Sequence, residues 1–359
     1  MDALILAAGL GTRLRPLTEY LPKPLVPVLN TPLIDLAIDW LRVQGMSRFT
    51  VNSHYKADLL RSHLNQRALH DRIDITESHE PAILGTGGAI LKVIDTFKGD
   101  CFVLWNSDIL FAPELGPVIE GHRSSGALAT LVLRRRDVQK FGGFTREPDG
   151  LITSYVPPSP GRPPLHAGIY TGVMVLSPEI RIHFPPGKDI FCIIADVIRP
   201  LIEKGERVRG VFSDESWSDL GNPEAYFRAN FEELALLESG PNPLTRFLRS
   251  LLERKGYENR GNGFWAMPHQ KQVPAQGPSL VGPDVVCGRD VALGERVIIG
   301  SGARIYGAGL LEDSIVWPGV EAVLRSPSGN RKIQDRIFSG SGYYAVPTNR
   351  EEIPQLPPV

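Results

Sequence analysis

A glycine-rich loop that carries basic residues stands near the start of the chain. The apolar run at residues 3–7 is typical of a buried strand, and Gly9, Gly11, Arg13 and the lysine of Pro22-Lys23-Pro24 follow it. Glycine lets backbone N–H groups come close to an anion, and fixed positive charges then bind the anionic oxygens. This order of residue types predicts a loop that wraps a polyphosphate.

Two well-known phosphate-binding motifs do not fit this loop. A P-loop needs a glycine, four residues and then Gly-Lys-Ser or Gly-Lys-Thr, and that spacing does not occur here. The dinucleotide fingerprint needs a third glycine three positions after the second, where this chain has Leu14. The loop therefore predicts a polyphosphate site of another kind.

The elements that must position this loop alternate between strands and helices over the first two-thirds of the chain. A helical pattern follows Thr31-Pro32, and the buried strand Cys101–Trp105 leads into Asn106-Ser107-Asp108. Such alternation predicts an α/β fold with a mostly parallel, doubly wound sheet and helices on both faces. Ligands bind at the carboxyl ends of such strands, so we expect the glycine loop and Asp108 at one edge.

A second pattern, with a period of six residues, begins near residue 281. An aliphatic or similar residue recurs at every sixth position: Val281, Cys287, Leu293, Ile299, Ile305, Leu311 and Trp317. Glycine directly follows the first four of these residues. This period resembles the hexapeptide repeat of a left-handed parallel β-helix, with each of these side chains pointing inward. The array predicts a short β-helix of about two coils.

Composition limits the kinds of partner. The 359 residues carry a formal net charge of −1, which argues against a nucleic acid or a membrane surface as the main partner. No basic leader precedes the first strand, and no apolar run approaches a membrane span. Of the three cysteines, Cys101 and Cys192 lie in apolar runs and are predicted in the core. The odd number of cysteines in the chain and their wide spacing predict a reducing, cytoplasmic location.

The opening string Leu6–Thr18, taken together with Pro22-Lys23-Pro24, resembles the signature of the sugar-1-phosphate nucleotidyltransferases, also called nucleotide-sugar pyrophosphorylases. Three further segments are similar to that family. Glu80–Ala89 resembles its base-recognition loop, Asn106-Ser107-Asp108 the setting of its first metal aspartate, and Trp217–Gly221 that of its second. The resemblance implies a Rossmann-like nucleotidyltransferase fold.

The resemblance implies a reaction in which a sugar 1-phosphate oxygen attacks the α-phosphorus of a nucleoside triphosphate and pyrophosphate leaves. It implies Arg13 and Lys23 as catalytic residues and Asp108 and Asp219 as ligands of Mg²⁺. The attacking phosphate is already an anion, so the chemistry needs charge neutralisation more than a base. Implied nucleotide contacts are Leu6, Ala8, Gly9, Gly11, Thr12, Glu80, Gly85 and Thr86, and implied sugar contacts are Gly142 and Gly172.

Changes in composition along the chain, together with the resemblance, predict a domain division. We expect a catalytic domain over residues 1–238, a linker with one helix over 239–277, a β-helix domain over 278–346 and a loose tail over 347–359. Hexapeptide domains often self-associate, so a homo-oligomer through the C-terminal domain fits this division. The expected partners are an NTP and a sugar 1-phosphate, with neither nucleic acid nor membrane.

The substrates stay open at this stage. The carboxylate of Glu80 suits the N–H edge of guanine, whereas Ala7-Ala8-Gly9 is more typical of the family's pyrimidine-nucleotide users. Many members have Glu-Lys-Pro before the last sheet strand, where this chain has Tyr155-Val156-Pro157-Pro158. That departure favours mannose- or N-acetylmuramate-type 1-phosphates over glucose 1-phosphate. The best expectation is GTP with mannose 1-phosphate, and the alternative is UTP or dTTP with a glucose- or N-acetylmuramate-type sugar.

Two other functions compete with this expectation. A bifunctional acyl- and nucleotidyltransferase predicts a long β-helix with a catalytic histidine, but the last histidine, His269, precedes the short array. A non-catalytic relative that only binds nucleotide sugars predicts loss of a basic residue or an aspartate. Both basic residues and both aspartates are present, which favours an enzyme.

Overall fold

The computed structural model describes residues 1–270, 277–324, 332–340 and 342–347, and in it the chain forms two compact units. The first comprises Met1–Leu10, Pro22–Pro24 and Ile34–Trp217, and the second Gly11–Leu21, Leu25–Leu33 and the chain from Ser218 onward. The predicted domain boundaries stay a prediction. Residues 271–276 of the predicted linker and residues 348–359 of the predicted tail lie outside the described residues.

Short strands and helices alternate through residue 236, as the sequence predicts. The strands are β1 (Asp2–Leu6), β2 (Pro27–Val28), β3 (Thr31–Pro32), β4 (Arg48–Ser53), β5 (Asp74–His79), β6 (Phe102–Asn106), β7 (Ile109–Phe111), β8 (Ala129–Arg134), β9 (Gly143–Arg146), β10 (Ile152–Val156), β11 (Ala167–Leu176), β12 (Val208–Phe212) and β13 (Trp217–Asp219). The α-helices are α1 (Leu17–Tyr20), α2 (Leu33–Val43), α3 (Ala57–Asp71), α4 (Gly85–Val93), α5 (Gly116–Ser125), α6 (Val138–Phe141), α7 (Arg199–Glu203) and α8 (Pro223–Leu236). Short 3-10 segments and one π-helical turn, Ile193–Ile198, complete this part.

The first unit is built on a nine-stranded sheet. Its long path runs β12-β8-β11-β6-β1-β4-β5, and the pair β9 and β10 adds to β11. Neighbours β6, β1, β4 and β5 are parallel, and β12 is parallel to β8, whereas β11 is antiparallel to both β6 and β8. The prediction of a mostly parallel α/β sheet is confirmed.

The central strand β1 is apolar because it is covered on both faces. Ala3, Leu4 and Ile5 are fully buried, as expected for a parallel strand between helical layers. In the register of β1 and β6, Leu6 lies opposite Asn106. The chain therefore leaves both strands at the same edge, and Ala7 and Asp108 follow there as predicted.

Two capped helices lie in the second unit. In α8, Asn222 accepts a hydrogen bond from the Ala225 N–H at 2.8 Å, so its side chain caps the start of the helix. Helix α9 (Pro243–Arg254) begins in the same way, with Asn242 as its cap, and it is the helix predicted within the linker. Its apolar face, Phe247, Leu248, Leu251 and Leu252, is buried.

The C-terminal repeat folds into a parallel β-helix, as predicted, but its described strands form three coils rather than about two. Its strands are β14 (Glu258–Asn259), β15 (Phe264–Ala266), β16 (Ser279–Val281), β17 (Val286–Cys287), β18 (Val291–Leu293), β19 (Val297–Ile299), β20 (Arg304–Gly307), β21 (Gly309–Leu311), β22 (Ser314–Val316), β23 (Glu321–Leu324), β24 (Lys332–Ile333), β25 (Arg336–Ser339) and β26 (Gly342–Ala345). Three parallel faces result: β15-β16-β19-β22-β25, β17-β20-β23 and β18-β21-β24, with β14 and β26 pairing antiparallel at the ends of the first. The left-handed sense stays a prediction.

The six-residue register holds for one coil and then slips. Val281 pairs with Ile299 eighteen residues later, but Ile299 pairs with Val316, so the next coil is one residue shorter on this face. An unbroken six-residue period would place Trp317 opposite Ile299, but Val316 takes that position. Trp317 is nevertheless buried, and its indole N–H donates to the Tyr226 hydroxyl at 3.0 Å. The regular six-residue repeat thus ends at Trp317, a large residue whose indole is held by Tyr226.

A buried carboxyl between α8 and α9 makes stability depend on pH. Glu233 accepts a hydrogen bond from the Thr245 hydroxyl at 3.2 Å. Burial, with a smaller effect of Glu232, raises the pKa of Glu233 to about 7. The folded pKa lies above the unfolded value of 4.5, so stability is present below pH 4.5 and is lost as pH rises to about 7.

We expect Glu233→Gln to abolish that pH dependence. At pH 8, the free energy of unfolding of the variant should exceed that of the wild type by up to about 3 kcal/mol. At pH 4.5, the two free energies should differ little. Chemical denaturation across pH 4.5–8.5 measures this, with Glu253→Gln, at an exposed position of α9, as the control. If the free energy of unfolding of the wild type and of Glu233→Gln changed with pH in the same way, Glu233 would not be the source of the pH dependence.

Candidate active site

A cleft of about 230 Å³ lies within the first unit, at the carboxyl ends of β1, β4 and β6. Its walls come from the strand ends, the lysine turn and the loop before α4: Leu6, Ala7, Ala8, Gly9, Lys23, Pro24, Asn52, Glu80, Ile83, Gly85, Thr86, Asn106, Ser107 and Asp108. Eight of the predicted site residues line it: Leu6, Ala8, Gly9, Lys23, Glu80, Gly85, Thr86 and Asp108. The cleft therefore joins the predicted phosphate, base and metal segments that belong to this unit.

Lys23 and Asp108 form an ion pair in the wall of this cleft. The ammonium donates to the Asp108 carboxylate at 2.9 Å, although the two residues are 85 positions apart in the chain. The lysine side chain is only 10% exposed and the aspartate 32%. The surroundings thus fix a cation next to a carboxylate that is open to the cleft, an arrangement suited to phosphate on one side and a metal ion on the other.

The glycine loop turns in the second unit. Gly11 has the left-handed φ of 62°, and its carbonyl accepts from the Leu14 N–H at 3.0 Å and the Thr18 hydroxyl at 2.9 Å. A side chain at this φ would be strained, so glycine suits the position. The turn orients the short helix Thr12–Leu14, which carries Arg13.

Arg13 lies beside the second predicted aspartate. Its guanidinium is 3.8 Å from the Asp219 carboxylate, and the arginine side chain is 70% exposed. A Cβ at Gly221 would come to 3.0 Å of both side chains, so glycine makes room for the pair. The predicted Trp-x-Asp-x-Gly segment therefore places Asp219 beside an exposed cation within this unit, and the pyrophosphate role of Arg13 stays a prediction.

The carboxylate of Glu80 is not free to accept a hydrogen bond from a nucleotide base in the way that the sequence predicts. It lines the cleft but is fully buried, and both of its carboxylate oxygens accept from the protein. One accepts from the Asn52 side-chain amide at 2.8 Å and the other from the Leu84 N–H at 3.0 Å. Asn52, in turn, accepts from the Ala7 N–H at 2.5 Å. Asn52 was not among the predicted site residues, and its only signal in the sequence is a polar residue at the end of a strand.

A short segment before the π-helical turn holds the predicted base loop. The N–H groups of Gly87 and Gly88 both point to the Phe191 carbonyl, and Thr86 accepts from the Ile193 N–H at 2.9 Å. Cys192, beside Thr86, is exposed, so the prediction that it belongs to the core was wrong. The apolar run Phe191–Ile193 is therefore not a strand. Its backbone holds the base loop by hydrogen bonds, and we call this segment the loop clamp.

This clamp explains the glycines of the loop and predicts their sensitivity. A Cβ at Gly88 would lie 2.1 Å from the Asp189 carbonyl oxygen, which is backbone and cannot easily move. We expect Gly88→Ala to displace the loop, raise KM for the nucleotide at least tenfold and lower the melting temperature by several degrees. Gly121→Ala, in helix α5 with no atom within 4 Å of its Cβ, is the matched control and should be neutral or slightly stabilising.

The two predicted sugar glycines face protein atoms. Gly172 has φ 93°, and its Cβ would meet the Asn106 side chain at 3.0 Å. Gly142 has φ 70°, and its Cβ would come within 2.8 Å of the Val156 carbonyl oxygen. Both glycines are thus required by local packing, and their contacts to a hexose stay a prediction.

The donor chemistry fits a hard divalent cation. Within the described ranges, no group of three or more His, Cys, Asp and Glu side chains is arranged to hold a metal. The candidates are single, partly exposed carboxylates, Asp108 and Asp219, each beside a basic side chain. Ions such as Mg²⁺ take one or two carboxylates and complete their coordination with phosphates and water. These residues fit a metal that arrives with a polyphosphate.

Comparison with known proteins decides the family. The family model described as "Nucleotidyl transferase" matches residues 2–235, well over half of the chain. The chain belongs to this nucleotidyl transferase family. Members of the family generally use a divalent metal, which agrees with the carboxylates above.

Two relatives and a solved structure indicate the range within the family. The chain is 28% identical over 243 residues to a UTP–glucose-1-phosphate uridylyltransferase of Synechocystis, covering 64% of this chain and 62% of that protein. It is 26% identical over 314 residues to a mannose-1-phosphate guanylyltransferase of Mycobacterium tuberculosis, covering 86% and 79%. The crystal structure of HddC from Yersinia pseudotuberculosis complexed with GMP-PN is 26% identical, with a TM-score of 0.53, covering 64% and 98%.

The longer of these matches extends into the C-terminal region. The guanylyltransferase match covers 86% of this chain, whereas the family model ends at residue 235. Over the part of the chain that the structure describes, no helix is both long and apolar enough to cross a membrane.

Proposed function

We propose that this chain transfers a nucleotidyl group from an NTP to a sugar 1-phosphate, releasing pyrophosphate and forming an NDP-sugar. The observation that carries the proposal is the buried Lys23 paired with Asp108 in a cleft that glycine-loop and base-loop residues also line. The relatives named for uridylyl and guanylyl transfer to sugar 1-phosphates support the same reaction.

The proposed reaction breaks one phosphoanhydride bond and makes another. A phosphate oxygen of the sugar 1-phosphate attacks the α-phosphorus, and the bond from that phosphorus to the bridging oxygen breaks, so the electron pair leaves with pyrophosphate. Two unit charges at 4 Å repel by about 4 kcal/mol at an effective dielectric of 20. The role of the protein is therefore to place positive charge, and the attacking anion needs no general base.

The residues divide that task. Lys23 would bind the α-phosphate or the sugar phosphate, and Arg13, which is exposed, would bind the departing pyrophosphate. Asp108 and Asp219 would hold Mg²⁺, which supplies charge neutralisation of the triphosphate when bound. Each basic residue would then exchange its aspartate for a phosphate.

GTP with mannose 1-phosphate is the best-supported substrate pair. A mannose-1-phosphate guanylyltransferase matches over 86% of this chain, and a heptose 1-phosphate guanylyltransferase of Aneurinibacillus thermoaerophilus is 27% identical with 98% of its length covered. Glu80 supports guanine only weakly, because it is fully buried and each of its oxygens already accepts a hydrogen bond from the protein. The support now comes from the relatives.

Uridylyl transfer to glucose 1-phosphate is the second candidate. It is favoured by the Synechocystis relative, although the chain spans only 62% of that protein. The missing Glu-Lys-Pro at residues 155–158 argues against glucose, and it allows N-acetylmuramate-type sugars. A cytoplasmic location and a homo-oligomer built through the β-helix are part of the same proposal.

An activity matrix tests the proposal. Purified protein with Mg²⁺ is incubated with GTP, UTP, dTTP, ATP or CTP against mannose, glucose and N-acetylmuramate 1-phosphates, and pyrophosphate release is measured. We expect the highest kcat/KM for GTP with mannose 1-phosphate. Folded protein that binds nucleotide sugars yet turns over no pair would instead indicate a non-catalytic binding relative.

A further inference from the structure

A chain of four hydrogen-bonding groups connects the glycine loop to the base loop. It begins at the Ala7 N–H, passes through the Asn52 side chain and the Glu80 carboxylate, and ends at the Leu84 N–H. The three distances are 2.5, 2.8 and 3.0 Å. Asn52 is 4% exposed and Glu80 0%, so water does not substitute for any of these bonds.

The ends of this chain fix its chemistry. Both terminal groups are backbone N–H donors, so the side chains between them must present an acceptor at each end. Asn52 can offer its oxygen to Ala7 only by turning its NH₂ toward residue 80, and residue 80 must then accept twice. A carboxylate does this, and a neutral amide does not. The amide and the carboxylate are therefore required as a pair.

The backbone reinforces the same connection. The Glu80 N–H donates to the Ser53 carbonyl at 2.8 Å, and the Glu80 carbonyl contacts the His54 ring nitrogen Nδ1 at 2.8 Å. The ends of β1, β4 and β5 are thus tied together immediately before the loop that precedes α4. No cation forms a salt bridge with Glu80 in the part of the chain that the structure describes. Neutral donors alone satisfy its charge.

We propose that Asn52 and Glu80 are a positioning pair that sets the phosphate-binding and base-binding loops relative to each other without either side chain touching the nucleotide. The proposal rests on the proposed function and deepens it. It assigns Asn52, which no sequence motif marked, and it changes the expected role of Glu80 from reading the base to holding the Leu84 N–H. Neither is a catalytic residue.

The donor and acceptor order offers a reciprocal exchange as a test. In Asn52→Asp, two carboxylates face each other at 2.8 Å and repel or share a proton. In Glu80→Gln, the new NH₂ group faces either the Leu84 N–H or the Asn52 NH₂. In the double variant, the carboxylate now at position 52 accepts from the Ala7 N–H and from the amide NH₂ now at position 80. The amide oxygen at position 80 accepts from the Leu84 N–H, so the order of donors and acceptors, and the net charge, are restored.

We expect each single variant to raise KM for the nucleotide by about tenfold or more and to lower the melting temperature. The double variant should recover KM to within about threefold of the wild type, with a recovered melting temperature. If Glu80 reads the base directly, moving the carboxylate to position 52 cannot restore KM. A double variant that is unfolded, or folded but as weak as either single variant, overturns the proposal.

A buried asparagine elsewhere provides the control. Asn230, also fully buried, accepts from the Leu29 N–H at 2.9 Å and donates to the Tyr226 carbonyl at 2.9 Å, and it does not line the cleft. Asn230→Asp should lower the melting temperature without rescue by Glu80→Gln. If the wild type turns over no substrate pair, the proposed function fails, and the four melting temperatures of the exchange still decide the positioning pair.

Discussion

Replacing Lys23 with methionine is expected to lower kcat by about 10²- to 10³-fold while the protein stays folded. The ammonium is nearly buried, and its charge is held 2.9 Å from Asp108 at the wall of the cleft. Loss of one preorganised charge that meets a phosphate in the transition state typically costs a factor of this size. Methionine keeps the length of the apolar stem, so packing against the surrounding prolines changes little.

The measurement is steady-state pyrophosphate release with saturating nucleotide and sugar 1-phosphate. Lys204→Met, at an exposed position, is the matched control and should retain wild-type kcat. Lys23→Arg should recover only part of the loss, because a planar guanidinium does not replace a compact ammonium in a nearly closed site. A Lys23→Met enzyme with kcat within threefold of the wild type would show that the ion pair with Asp108 is structural.

The sequence predicts two kinds of feature well: buried strands, which show as apolar runs, and the residues that follow these strands at the carboxyl edge of the parallel sheet. Buried strands such as β1 and β6 are apolar except for one terminal residue each, Asp2 and Asn106, so their ends, and therefore the positions of Ala7 and Asp108, follow from the pattern. Strand β5, Asp74–His79, is harder to predict from the sequence. Strand β5 lies at the edge of the sheet and is largely polar, so its length leaves little hydrophobic signal.

Pairings between distant residues are what the sequence could not supply. Lys23 and Asp108 are each suggested by their local motifs, but nothing local indicates that they share an ion pair. Asn52 and Glu80 lie 28 positions apart, and only the register of β4 with β5 and the burial of the cleft wall give them a common role. The one-residue slip that displaced Trp317 likewise depends on a coil length that the six-residue period does not contain.

The same limit applies to the exposed Cys192. Its neighbours are apolar because Phe191 and Ile193 are buried, and a run of such residues favours a core strand. In the structure, the backbone of this run is used to bind the glycines of the base loop, so its side chains alternate between core and solvent. Prediction from composition alone cannot separate these two uses.

The last prediction concerns the two aspartates. We expect Asp108→Asn and Asp219→Asn each to lower kcat/KM by about 10³-fold, since each removes a carboxylate from a proposed Mg²⁺ site and leaves a basic neighbour without its partner. Both variants should also need a higher Mg²⁺ concentration for half-maximal rate. Asp214→Asn, at an exposed salt bridge with Arg135, is the control and should keep the wild-type metal requirement.

The double variant decides whether the two carboxylates act on one ion. Residues that act as a unit are strongly non-additive, so the double variant should be scarcely slower than either single variant. Two separate roles would instead multiply, giving a loss near about 10⁶-fold. Multiplied losses with an unchanged Mg²⁺ requirement would assign the aspartates to the orientation of Lys23 and Arg13, and the proposed metal site would have to be abandoned.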